Sequence, residues 1–101
     1  MMKQELDTRD LYNLIQSEDR VIVFGYAPIC ANCQIAERML NVAKEVVGFE
    51  YTPVDLNYHE AFINEFHVQS APALLVFERG ELIRSVYAFE SVTKLVEILQ
   101  K

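Results

Sequence analysis

Two cysteines three positions apart, set directly behind a β-branched apolar run, constrain this chain more than anything else in it. Residues 21–35 read VIVFGYAPICANCQI. Val21-Ile22-Val23-Phe24 has the composition of a buried strand. The run ends at Gly25, Tyr26-Ala27-Pro28-Ile29 forms a short connection, and an amphipathic pattern opens at Cys30-Ala31-Asn32-Cys33. Cys30 and Cys33 are the only cysteines of the chain. Strand, turn, C-x-x-C, helix is the context in which such a pair reads as a redox motif.

The spacing has a physical reason. With Cys30 opening a helix and Cys33 one turn in, the two Cα atoms stand roughly 5–6 Å apart, a separation that a disulfide tolerates. The pair can close and reopen with little backbone movement. The free N–H groups and positive dipole end of the helix start favour an anion, so they stabilise a thiolate at Cys30, and the thiolate is the nucleophile in disulfide exchange. Cys33 then attacks the mixed disulfide and releases the partner.

The 101 residues fit one domain, and a net charge of −6 argues against a nucleic-acid surface, which needs clustered Lys and Arg. No apolar run approaches the roughly 20 residues that span a bilayer, so no membrane contact is expected. The N-terminal residues MMKQELDTRDL show neither an apolar h-region nor a cleavage pattern. One tight cysteine pair is not the framework by which small secreted proteins are held together. The expectation is a cytoplasmic monomer.

Along the chain, Leu6, Leu11, Leu14 and Ile15 predict a helix over 6–17, capped by Asp7 or Thr8. A strand follows at 21–26. The next helix runs from Cys30 to Val47, with Ile35, Met39, Ala43, Val46 and Val47 as its apolar face, Ala36 and Leu40 beside it, and Glu37, Lys44 and Glu45 on the wet side. Gly48 suits the position after its end. A strand over 49–56 contains Pro53, which points to an edge or a bulge. Residues 59–66 form a short helix, Ala73–Phe77 a strand, Glu78–Glu81 a turn, and Leu82–Tyr87 the antiparallel mate. Ser91 caps a last helix whose apolar face is Val92, Leu95, Val96 and Leu99. Strands alternating with helices imply an α/β fold with a partly parallel sheet.

These features resemble the thioredoxin family over nearly the whole chain. The resemblance is carried by Cys30-Ala31-Asn32-Cys33 behind the apolar strand, by Ser70-Ala71-Pro72 before the strand Ala73–Phe77, and by the hairpin Glu78-Arg79-Gly80-Glu81-Leu82. It implies the thioredoxin fold, a central four-stranded mixed sheet flanked by four helices, and dithiol–disulfide exchange with protein substrates. It implies a cis Pro72 lying against the cysteine pair, with the backbone of Ala71 open to an extended partner segment in the β-augmentation mode. No bound cofactor is needed; a flavin-dependent reductase is the family's electron donor. Several positions depart from the family pattern. Ile29 replaces the usual tryptophan, and Phe24 stands where strand one usually carries a buried aspartate. The usual lysine is absent from the Pro53 region, Arg38 replaces the helix-kinking proline, Tyr87-Ala88 lacks the usual glycine, and Ala31-Asn32 replaces Gly-Pro. The missing acid and lysine leave the Cys33 proton to water or to another group. A glutaredoxin is disfavoured, since no Gly-Gly pair follows the fourth strand.

Simpler readings stand beside these. Tyr26, Ile29 and Ala71 form an apolar rim around the site, or Tyr26 and Ile29 are ordinary packing at a strand end. His59 and His67 do not complete a zinc site with two cysteines; each is expected as a surface or helix residue, and no metal is expected. Glu37, one turn after Cys33, is a candidate proton acceptor, but an ion pair or plain solvent exposure is the favoured reading. Glu5, Asp7, Asp10, Glu18 and Asp19 make a solvated acidic surface. Two functions follow: an oxidoreductase with Cys30 as nucleophile and Cys33 as resolving thiol, or a redox-inactive binding module that holds a partner in the groove around Cys30 and Pro72.

Overall fold

The computed structural model describes residues 6–100, so the expectation for Glu5 falls outside it. Asp7 caps the first helix, α1 (Thr8–Ser17): its Oδ1 accepts the backbone N–H of Asp10 at 2.8 Å. Because the cap itself is extended, α1 begins two residues later than the apolar pattern predicts. Its buried residues, Leu11 and Ile15, are one turn apart on a single face.

Strand β1 (Arg20–Tyr26) and strand β3 (Ala73–Glu78) form the centre of a four-stranded sheet of order β2-β1-β3-β4. They pair antiparallel, from Arg20 opposite Glu78 to Gly25 opposite Ala73. β2 (Thr52–Asp55) lies parallel to β1 at one edge, and β4 (Glu81–Val86) pairs antiparallel with β3 at the other. Pro53 sits on an edge strand, where a missing N–H costs no ladder bond. The β3–β4 turn takes positive φ at both Arg79 (52°) and Gly80 (83°), the signature of a two-residue hairpin loop whose twist suits the strands. A register shift at Val76/Phe77 leaves Ile83 as an extra, half-exposed residue on β4.

The run Val21–Phe24 is apolar without alternation because both faces of β1 are covered. Ile22 and Phe24, with Leu74 and Val76 of β3, face α2 (Ala31–Val47) and α4 (Val92–Leu99). Val21 and Val23, with Leu75 and Phe77, face α1 and α3 (Glu60–Phe66). The two cores thus share the central strands, one on each side, and the architecture is the mixed sheet with four helices expected from the sequence.

Several boundaries and faces differ from the sequence expectation. β2 covers only Thr52–Asp55 instead of 49–56: Gly48 ends α2 in the left-handed conformation, Phe49 turns into the α2–α4 core, and past Asp55 the chain tightens into a 3₁₀ turn, Leu56–Tyr58. The buried stripe of α2 is Cys33, Ala36, Leu40 and Ala43. Ile35 and Val46, expected on that face, are 52% and 64% exposed, because the stripe is centred where the helix meets the sheet and these two lie beyond its margins. The hairpin loop is two residues tighter than expected, so β3 runs to Glu78 and β4 begins at Glu81, and Tyr87 leaves the sheet to accept the backbone N–H of Gln69 on its hydroxyl at 3.3 Å.

His59 is not a surface residue. It is 2% exposed, caps α3 in a position fixed by the 3₁₀ turn, and places Nδ1 3.0 Å from Oγ1 of Thr8. The contact ties the start of α1 to the start of α3. His67 is exposed at the end of α3, in the left-handed conformation.

Leu75 is fully buried on the central strand. Leu75→Ala should cost about 2–5 kcal/mol by the lost transfer energy and the cavity left behind, read as a lower midpoint in denaturant unfolding with an unchanged slope.

Candidate active site

The strand register assembles the site. Gly25 is opposite Ala73, so the exit of β1 toward Cys30 lies beside the start of β3, where Pro72 stands. Val86 is opposite Leu74, so the segment after β4 leaves from the same end of the sheet. Tyr26 is opposite Asp55, which brings the end of β2 there as well. Segments far apart in sequence therefore converge on one end of the sheet, around the start of α2.

Cys30 is the N-cap of α2. Its backbone is extended (φ −155°, ψ 100°), and its Sγ accepts the backbone N–H of Cys33 at 3.1 Å. A cap side chain that accepts such a bond relieves one of the unpaired donors of the first turn; here sulfur takes the place usually held by oxygen. Cys30 and Cys33 are joined in a disulfide with Cα atoms 5.2 Å apart. Cys30 is partly exposed, whereas Cys33 is 4% exposed and packed into the α2–α4 core.

Two clefts flank the pair. The first, of about 280 Å³, lies toward β2 and is lined by Cys30 and Cys33, Tyr26, Phe24, Gln34, Glu37 and Pro53, with Ala27 and Pro28 at its rim. The second, of about 250 Å³, lies toward β4 and α4 and is lined by Pro72, Asn32, Ile35, Met39, Tyr87 and Phe89, with Ala36 and Ala88. The Ala71–Pro72 peptide is cis, and Ala71 is half-buried between the two cores. Of the residues singled out in the sequence, Tyr26 joins the cysteines in the first cleft and Pro72 lines the second. Ile29 lines neither: at 99% exposure it projects from the turn before Cys30, which rules out ordinary packing there. Tyr87 and Phe89 were not anticipated as part of this end of the molecule. Their signal was an aromatic pair in the short loop between the hairpin and the last helix.

The wall behind the first cleft is aromatic. Phe24 meets Tyr51 edge to face, with centroids 6.1 Å apart and planes at 85°. The Tyr51 hydroxyl donates to Oδ1 of Asn41 at 2.7 Å, and Lys44 Nζ lies 5.9 Å from its ring centroid. Burial raises the Tyr51 phenol above its usual 10.0, the Glu37 carboxylate raises it further, and the bond to Asn41 lowers it. Among the described residues, no three His, Cys, Asp or Glu side chains gather in a set that could hold a metal ion, and no helix is long and apolar enough to cross a membrane.

A mixed sheet of order β2-β1-β3-β4 with a disulfide-paired C-x-x-C at a helix start defines the thioredoxin fold. The thioredoxin family model matches residues 3–101, and the chain belongs to that family. It is 30% identical over 99 residues to the thioredoxin-like protein YusE of Bacillus subtilis, covering 97% of this chain and 92% of that one. It is 24% identical over 100 residues to a thioredoxin of Mycoplasmoides gallisepticum, covering 98% and 100%. Among solved structures, mitochondrial thioredoxin 3 of Saccharomyces cerevisiae in its oxidised form superposes with a TM-score of 0.80 at 19% identity, over 95% of this chain and 92% of that one. The oxidised thioredoxin of Plasmodium falciparum does so with 0.78 at 15%, over 98% and 100%. At these identities the structural likeness speaks for the fold. Family membership and a cysteine pair at disulfide distance make the chain a thiol–disulfide oxidoreductase.

The raised Tyr51 phenol has a consequence at alkaline pH. The native protein holds this proton where the unfolded chain loses it, so the contribution is fully present below about pH 10 and is lost as pH rises through the native value. Tyr51→Phe should flatten the alkaline fall in stability, measured by denaturant unfolding across that range. Glu37→Gln should move the Tyr51 ionisation down toward 10.0, read from phenolate absorbance as the difference between this variant with and without Tyr51→Phe.

Proposed function

We propose that Cys30 is the nucleophile and Cys33 the resolving thiol in the reduction of protein disulfides. The observation that carries the assignment is the N-cap geometry: the accessible sulfur, Cys30 Sγ, receives the Cys33 N–H at 3.1 Å at the positive end of α2, while Cys33 is packed behind it. The same donor and dipole favour the thiolate over the thiol when the pair is reduced. The Cys30 thiolate attacks one sulfur of a substrate disulfide and expels the other as a thiolate, which takes up a proton. Cys33, having lost its proton, attacks Cys30 Sγ, closes the intramolecular disulfide and releases the second substrate thiol. The substrate gains two electrons and the cysteine pair loses them.

Pro72 and the backbone of Ala71 present the substrate as an extended segment, with Tyr26 and Ile29 as apolar contacts on the Cys30 side. Their place at the same end of the sheet supports this reading. A flavin-dependent reductase supplies the electrons that reopen the disulfide, a role that rests on the family resemblance. The cytoplasm is the proposed compartment, and residues 1–101 the proposed single domain, supported by the family match across 3–101. The binding-only alternative rests on the departures at Phe24 and Ile29, and the paired cysteines support turnover over it.

Cys30→Ser should abolish the reduction of insulin disulfides. Cys33→Ser should lose turnover and accumulate a covalent mixed disulfide through Cys30, seen by mass spectrometry under non-reducing conditions. Full insulin reduction by Cys30→Ser would overturn the assignment.

A further inference from the structure

Cys33 poses a chemical problem that its surroundings answer. A thiol must become a thiolate before it attacks, yet this one is 4% exposed and packed among Phe24, Ala36 and Leu40. Its outlet is the cleft on the β2 side. The side chains lining that cleft are mostly unable to take a proton: Phe24 and Pro53 are apolar, and Gln34 is a neutral amide. Among the described residues lining it, Glu37 alone carries a carboxylate. Glu37 follows Cys33 by four positions, one helical turn, on the exposed margin of α2 beside the buried stripe, and side chains on a helix lean toward its N-terminus. The Glu37 side chain lines the same cleft as the sulfur. A volume of about 280 Å³ is ample for several water molecules at roughly 30 Å³ each. The charge of Glu37 also reaches the inner wall: burial first, and then the Glu37 carboxylate, raises the phenol of Tyr51, which packs on Phe24.

We propose that Glu37 is the base that takes the proton of Cys33, through water in the β2-side cleft, in the step that resolves the mixed disulfide. This deepens, and rests on, the assignment of Cys30 and Cys33 above. In that step the Cys33 S–H bond breaks and its proton passes by way of water to the Glu37 carboxylate. The Cys33 sulfur bonds to Cys30 Sγ, and the bond from Cys30 to the substrate sulfur breaks with its electron pair. The departing thiolate is then protonated from solvent, and Glu37 returns its proton to water. No further oxidant or reductant is required.

A chromogenic aryl disulfide, 5,5′-dithiobis(2-nitrobenzoate), separates the two halves of the reaction. With the reduced protein in slight excess, the first release of thionitrobenzoate reports attack by Cys30, and the second reports attack by Cys33 on the mixed disulfide. In Glu37→Gln the first release should keep its wild-type rate and the second should slow by about tenfold or more, a fully positioned base contributing roughly 10²–10⁴-fold. Glu37→Asp, which keeps the carboxylate, should recover part of that loss. An unchanged second release in Glu37→Gln, or equal slowing of both releases, would overturn the role of Glu37 while leaving the oxidoreductase assignment standing. Failure of that assignment itself shows in the wild type, as a single release with no second; both readings would then fall.

Discussion

The antiparallel pairing of β1 with β3 is the constraint on which the rest of the molecule depends. Both strands are buried on both faces, so every side chain from Val21 to Phe24 and from Leu74 to Phe77 belongs to one of the two cores. The pairing fixes which helices lie above the sheet and which below. Because a one-residue slip in register would exchange the two faces, it also fixes the site: with Gly25 opposite Ala73, the turn that carries Cys30 and the peptide before Pro72 meet at one end. The chemistry is a by-product of a register that packing enforces.

Around that end the molecule is asymmetric. The cysteine pair separates a cleft with a carboxylate and a phenol from one lined by Pro72, Met39 and two aromatic residues. The helix that carries the cysteines thus has three kinds of surface. One is a buried stripe through Cys33, Ala36, Leu40 and Ala43, one a polar margin through Glu37 and Asn41 toward β2, and one an apolar margin through Ile35 and Met39 toward β4 and α4. A substrate sulfur bound at Cys30 has a different environment on each side of it.

Most of the fold was legible because its signals are local and redundant. The apolar run before Cys30, the cap at Asp7, the glycines after α2 and in the hairpin, and the proline on an edge strand each follow from a backbone or solvation rule that tertiary packing did not override. What was not legible is tertiary. The buried face of α2 could not be separated from its neighbours by period alone, since Ile35, Met39, Val42 and Val46 are as apolar as the residues that are buried. β2 was overestimated because Phe49 is apolar for the sake of the core and not of the sheet. His59 was misplaced because its partner, Thr8, stands 51 residues away, and no local pattern announces a buried histidine. The cysteines were legible as a pair, whereas Tyr87 and Phe89 come to the second cleft only through the return of β4.

The central pairing also sets an order of events during synthesis. β1 is made early, but the strand that covers it ends at Glu78, some fifty residues later. At about 5–20 residues per second, the ribosome needs several seconds to deliver it. For that interval the nascent chain carries a bare hydrophobic segment, Val21–Phe24, whose antiparallel partner does not yet exist and whose α1-side cover cannot lock without Leu75 and Phe77. The strand that organises the finished protein is, in the unfinished one, an apolar segment without its antiparallel partner.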